Sequence, residues 1–315
     1  MRPPPDVFAA VMATGILSIG ADQHHYLKIS ETLGVLATSG LVALLALALL
    51  TRSLASWDRT DPDVTLRLFS FVAACAVLDS RLAGVEPVVV ALAVTASLSW
   101  LALVVLTIRN MAANSWTALR DRAHGAWELG SVGTSGLAIV ATQVARHEPG
   151  WFWAAVPLWV AGLCSYGLMT WLILWRAINE REHLDGFAPD SWILMGGLAI
   201  ATLAGDSVYR LAPGWLASPV RTATVVTWAA ATLWIPPLIY FGLQRISRRP
   251  GTLQFAGIWW AMVFPLGMYS AATAATAAEL GRPTLRTVSL VFFWVALTTW
   301  VIVVVAGLLK VRRAA

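Results

Sequence analysis

Charge is what this sequence has least of. Charged residues make up 12% of the chain and hydrophobic residues 58%, whereas soluble domains carry about 25% charged residues. A water-soluble core could not use that much apolar surface. There are only two cysteines, Cys75 and Cys164, both inside apolar segments, which leaves no disulfide framework and no zinc-type spacing. The sequence contains no HExxH, GxSxG, Walker A or CxxC pattern, and so offers no grouping for hydrolysis, nucleotide binding or redox chemistry. The His24-His25 pair has no Cys or acid arranged around it as a zinc site requires. These absences set the expectation of no enzymatic activity, no cofactor and no metal. Arg2 and three prolines lead directly into the first apolar segment, which is not the pattern of a cleaved signal.

What the chain does have is ten apolar segments, at roughly 5–22, 33–52, 67–84, 86–108, 127–145, 150–177, 188–211, 220–245, 255–279 and 285–309. Their lengths suit transmembrane helices. The expected fold is an all-α integral membrane protein, a single transmembrane domain over 1–315. Ten spans place both termini on one side, with long, charged connectors such as SLASWDRTDPD and RAINEREHLDGFAPD. That side holds 15 of the 22 Lys and Arg; the others are Lys28, Arg81, Arg146, Arg210, Arg221, Arg282 and Arg286. The positive-inside rule then makes both termini cytoplasmic in a multi-pass protein of the cell membrane. This asymmetry also accounts for the net charge of +5 without nucleic acid.

Odd-numbered segments are rich in small residues, as in LGSVGTSGLAIVAT and MYSAATAATAA, and even-numbered ones tend to be bulkier, as in FFWVALTTWVIVVVAGLL. Bulky residues suit lipid, and small ones suit close helix contact or a lumen. The pattern points to five helical hairpins, with the odd helices inside and the even helices around them. Asp79-Ser80-Arg81 in the third segment and Asp206-Ser207 with Arg210 in the seventh hint at internal repetition.

The ninth segment, FAGIWWAMVFPLGMYSAATAATAAE, has two unlike halves. Pro265 removes an N–H and predicts a kink. Phe264 lies beside it at about mid-membrane, roughly 14 Å along at 1.5 Å per residue, and resembles a plug in a narrow passage. Gly15, Gly133, Gly136, Gly196 and Gly197 fall at a similar depth, where missing side chains leave either a lumen or ordinary tight packing. Gln143 offers hydrogen bonds to an anion or to a neighbouring helix. Arg81, Arg146, Arg210 and Arg282 stand at the outer ends of odd segments, as do His24, His25 and Lys28. They fit a positive vestibule for anions, or simple complementation of helix dipoles. Asp79 and Asp206 are intramembrane acids and so candidates for proton coupling, although Asp206 has Arg210 four residues on as a partner.

FAAVMATGILS at 8–18, GTSGLAIVATQ at 133–143, APDSWILMGGLAIATLAG at 188–205 and WWAMVFPLGMYSAAT at 259–273 together resemble the tellurite-resistance/dicarboxylate transporter family. That family includes the bacterial tellurite-resistance membrane protein, the yeast malate permease and the plant slow anion channel. The resemblance implies an inner five-helix pore closed by a phenylalanine, matched here by Phe264, with Gly15 lining the pore. It also implies a homotrimer with one pore per protomer. The long regulatory tails of the plant channels have no counterpart, which argues against control by phosphorylation of that kind. The expected function is passage of small anions through a lipid-embedded pore. The alternative is a proton-coupled carrier for C4-dicarboxylates, using Asp79, Asp206 or His24.

Overall fold

The computed structural model describes residues 3–179, 188–248 and 256–314. Arg2, Arg249, Phe255 and most of the RAINEREHLDGFAPD connector lie outside the described residues. Within them all regular structure is helical. The long helices are α1 (Ala9–Gln23), α2 (Leu27–Leu50), α4 (Pro62–Arg81), α5 (Glu86–Ala112), α7 (Leu129–Ala145), α8 (Phe152–Asn179), α9 (Ile193–Tyr209), α10 (Gly214–Arg248), α11 (Trp260–Leu280) and α12 (Pro283–Ala314), with two short helices, α3 (Ser53–Ser56) and α6 (Trp116–Arg122), in connectors. Local chemistry sets several ends. Asp61 accepts from the Asp63 amide with Pro62 in the first turn of α4, an N-terminal cap with a pre-set φ. Gly281 ends α11 at φ 61°, a left-handed cap that glycine adopts without strain, and only residues 281–282 separate α11 from α12.

Seven helices among the described residues are long and apolar enough to cross a membrane by themselves: α2, α5, α8, α9, α10, α11 and α12. Sequence predicts ten spans, and the other three helices differ for physical reasons. α1 is only 15 residues long, or about 22 Å at 1.5 Å per residue, and α7, as long as α9, is diluted by Gly, Ser, Thr and Gln143. α4 is longer but carries Asp63, Arg67, Asp79 and Arg81.

These three pack with α9 and α11 into a closed ring. α1 contacts α4 and α11, α4 contacts α7, α7 contacts α9, and α9 contacts α11. Each ring helix also packs extensively on the helix that follows it, α2, α5, α8, α10 or α12. The ring helices are mostly buried, whereas α2, α5, α10 and α12 bury little of their length. Tryptophans tie the layers together. Trp100 of α5 donates to Thr134 of α7, Trp228 of α10 to Thr273 of α11, and Trp300 of α12 to Thr14 of α1, all at 2.9–3.1 Å. Trp159 of α8 donates to the Ala201 carbonyl of α9 at 2.8 Å. In each case the outer helix bonds to the ring helix that comes next, or, for α12, back to the first.

Candidate functional site

All five ring helices line one cavity of about 190 Å³. α1 contributes Ile16, Ile19 and Gln23; α4 contributes Ala76, Val77 and Ser80; α7 contributes Gly136, Ile139 and Gln143; α9 contributes Ile200, Leu203 and Ser207; and α11 contributes Met268 and Ala271. Spacings of three and four residues put each set on one helix face. The polar lining consists of Gln23, Ser80, Gln143 and Ser207, each the last lining residue on its helix. Gln143 Nε2 donates to Ser80 Oγ at 2.7 Å, so these polar groups meet at one end. The opposite end is apolar. No charged side chain lines the space. Its volume is below the about 300–1,000 Å³ usual for drug-sized ligands, and its dipolar lining can solvate a small ion only weakly, as conduction requires.

Phe264 is fully buried. It precedes Met268 and Ala271 by four and seven residues, which places it on the same face of α11 one turn beyond the apolar end of the cavity. The α-helix begins only at Trp260, after a 3₁₀ turn at Gly257–Trp259. Phe264 therefore lies about 6 Å into α11 at 1.5 Å per residue, nearer its start than the sequence count suggests. Pro265 falls in the second turn and packs on Gly196 of α9, where an added Cβ would lie 2.9 Å from Pro265 Cγ. The other glycines divide by direction. Gly136 lines the cavity. An added Cβ at Gly15 would meet Val77 at 2.7 Å, at Gly133 it would meet Phe69 at 3.0 Å, and at Gly197 it would meet Tyr166 at 3.0 Å. Those three positions are close helix contacts. Gly267, not singled out by sequence, is a fourth, against Ile16 at 3.0 Å.

None of the charged candidates lines the cavity. Arg81 donates from Nε to Ser18 Oγ at 2.6 Å. Ser18 is on the side of α1 opposite Ile16, Ile19 and Gln23, so Arg81 points away from the cavity. Arg210 pairs with Asp206 at 2.9 Å and is largely exposed. Arg146 begins the connector after α7, and Arg282 directly precedes α12. Asp79 is buried, and neither of its carboxylate oxygens has a hydrogen-bond partner among the described residues. His24 Nε2 lies 3.1 Å from Ser289 Oγ.

Sequence reasoning missed a polar network at the other end of the ring. His124, before α7, bridges Asp63 of α4 and Asp190 ahead of α9, with 2.6 Å on each ring nitrogen. Trp127 Nε1 also donates to Asp63, the Ala126 amide donates to Asp190, and Arg67 pairs with Asp6 and Asp63. Burial alone would lower the imidazole pKa, but hydrogen bonds to Asp190 and Asp63 and their charges raise it to about 9. The imidazolium donates to both carboxylates and ties the starts of α4, α7 and α9 together. Glu128, fully buried, accepts from Ser131 and Thr170 hydroxyls at 2.9 and 2.7 Å.

Comparison with known proteins matches residues 2–308 to the SLAC1 family, described as voltage-dependent anion channels. An uncharacterized membrane protein of Mycobacterium tuberculosis is 32% identical over 141 residues, covering 44% of this chain and 72% of the relative. An uncharacterized transporter of Methanocaldococcus jannaschii is 22% identical over 197 residues, 61% of this chain and 57% of the relative. A sulfite efflux pump of Trichophyton rubrum is 26% identical over 150 residues, 48% of this chain and 32% of the pump. The chain belongs to the SLAC1 voltage-dependent anion channel family.

Proposed function

We propose that this member of the anion channel family passes small anions along the axis of the five-helix ring, with Phe264 closing the passage beside Pro265. On this reading all ten long helices cross the cell membrane as five hairpins, with both termini cytoplasmic. The three helices that are short or polar need no lipid-facing surface, because the others surround them. Gly136 and Gln143 line the passage, and Gly15, Gly133 and Gly197 let the ring helices approach closely enough to form it. Arg146, Arg210 and Arg282 form a positive outer mouth. A homotrimer with one passage per protomer rests on the family resemblance. The observation that carries the proposal is a cavity to which every ring helix contributes and no charge does. Similarity to a sulfite efflux pump puts small oxyanions among the substrates to test.

The test is Phe264→Ala, reconstituted in liposomes with chloride, nitrate, sulfite and malate. Anion flux is expected to rise while thermal stability is kept. If Phe264 is instead a packing residue of the core, the variant loses about 3–5 kcal/mol of stability and conducts no better. A stable variant with unchanged flux also overturns the gate.

One observation favours a second reading, proton-coupled carriage of C4-dicarboxylates. Asp79 is a buried carboxyl with no partner among the described residues, the kind of group a coupling site uses. If this reading holds, malate uptake requires a proton gradient and Asp79→Asn abolishes that requirement. Uptake driven by an anion gradient alone rules it out.

A further inference from the structure

Outside the ring, a groove of about 690 Å³ runs along α2 beside the end of α4. Gly34, Thr38, Val42 and Ala46 form its floor on one face of α2, and Arg81 and Leu82 form the opposite wall. Arg81 is fixed at the head of the groove. Its Nε donates to Ser18 Oγ, and that hydroxyl donates to the Ser30 carbonyl, each at 2.6 Å. Gly34 makes room for it, since a Cβ there would lie 3.2 Å from Arg81 Nε and 3.5 Å from Nη2. Neither terminal nitrogen of the guanidinium has a partner among the described residues. A guanidinium with two free N–H₂ groups at the edge of an apolar surface presents the fork that receives phosphate oxygens.

Below Arg81 the groove is effectively apolar. Its hydroxyls are occupied within α2: Thr38 Oγ1 donates to the Gly34 carbonyl at 2.9 Å and Ser39 Oγ to the Val35 carbonyl at 2.7 Å. Above Arg81 stands Glu31, exposed on the same face of α2, about 4.5 Å beyond Gly34 at 1.5 Å per residue. Apolar run, cation and acid follow one another in that order. An acyl chain, a phosphate and a primary ammonium follow one another in the same order in a phosphatidylethanolamine.

We propose that this groove binds a phosphatidylethanolamine-type lipid, with its phosphate on Arg81, its ammonium on Glu31 and an acyl chain along Thr38, Val42 and Ala46. A headgroup with phosphate but no amine satisfies Arg81 and leaves Glu31 without a cation. Such a lipid binds more weakly.

The test uses the full chain, purified in detergent, stripped of lipid and titrated with dioleoyl phosphatidylethanolamine or dioleoyl phosphatidylglycerol. Native mass spectrometry counts the bound lipid. The expected result is one retained phosphatidylethanolamine per chain, preferred about ten-fold over phosphatidylglycerol. Arg81→Gln loses both lipids, and Glu31→Gln loses the preference. Ala46→Trp fills the chain groove while leaving Arg81 and Ser18 in place, and it also loses retention. This variant keeps the test decisive if Arg81→Gln does not fold. Undiminished retention in Ala46→Trp overturns the site, and so does a preference for phosphatidylglycerol. Efficient disulfide formation between copies of Ala43→Cys, in a Cys164→Ser background in native membranes, also overturns it, because a second copy of the chain would then occupy the groove.

Discussion

Ser80 and Arg81 are neighbours in sequence, yet Ser80 lines the cavity and Arg81 lies against the back of α1. At 3.6 residues per turn, successive side chains diverge by about 100°. A sequence therefore gives the depth of Arg81 in the membrane but not the direction it faces, and the expected outer vestibule loses this member. Gln143 was legible because an amide among small apolar residues stands out, and the structure brings it to the cavity. The His124 network was not legible. Asp63, His124 and Asp190 lie more than sixty residues apart in sequence, and each alone resembles an ordinary connector residue. That network predicts a pH dependence. The folded-state pKa of His124 is raised to about 9, above the about 6.5 of a free imidazole. Its stabilising contribution is complete below about pH 6.5 and fades as pH rises through about 9. Thermal melts of the wild type are expected to fall over that window, and His124→Gln is expected to flatten the slope. A slope unchanged in the variant assigns the dependence to another group.

The helices themselves were read well where composition changes along the chain and poorly where it does not. The bounds of α5 and α12 lie close to the expected segments at 86–108 and 285–309. The start of α11 does not, because the tryptophan-rich lead forms a 3₁₀ turn rather than α-helix. The expected kink at Pro265 falls in the second turn, where the helix continues unbroken from Trp260 to Leu280. Pro265 also packs closely on its neighbour. An added Cβ at Gly196 would lie 3.0 Å from its Cβ and 3.1 Å from its Cα, and backbone cannot retreat as a side-chain tip can. Gly196→Val is therefore expected to push α9 off α11 and cost about 1–3 kcal/mol, read as an earlier melt. An unchanged melt shows that the two helices separate without penalty.

Across the whole molecule, the alternation of small-residue and bulky segments anticipated which helices form the ring. It did not show how the ring closes, since Thr14 and Trp300 are 286 residues apart. The proposed positive mouth belongs to this scale, because it depends on several helix ends together. Neutralising Arg146 and Arg282 is expected to lower anion flux at low salt and to matter less at high salt, as the Debye length shrinks from about 10 Å at 0.1 M to about 3 Å at 1 M. An equal loss at both salts points to misfolding instead. The closure of the ring also has a consequence for biosynthesis. α11 supplies Met268 and Ala271 to the cavity and contacts both α9 and α1, and a ribosome makes the N-terminal part of a chain first. Until α11 is made, the contacts α1–α4, α4–α7 and α7–α9 describe an open arc. Gln23 of α1 and Ser207 of α9 then face a space that α11 has yet to close. α11 is the keystone: until it arrives the ring has no closure and the cavity lacks its fifth wall.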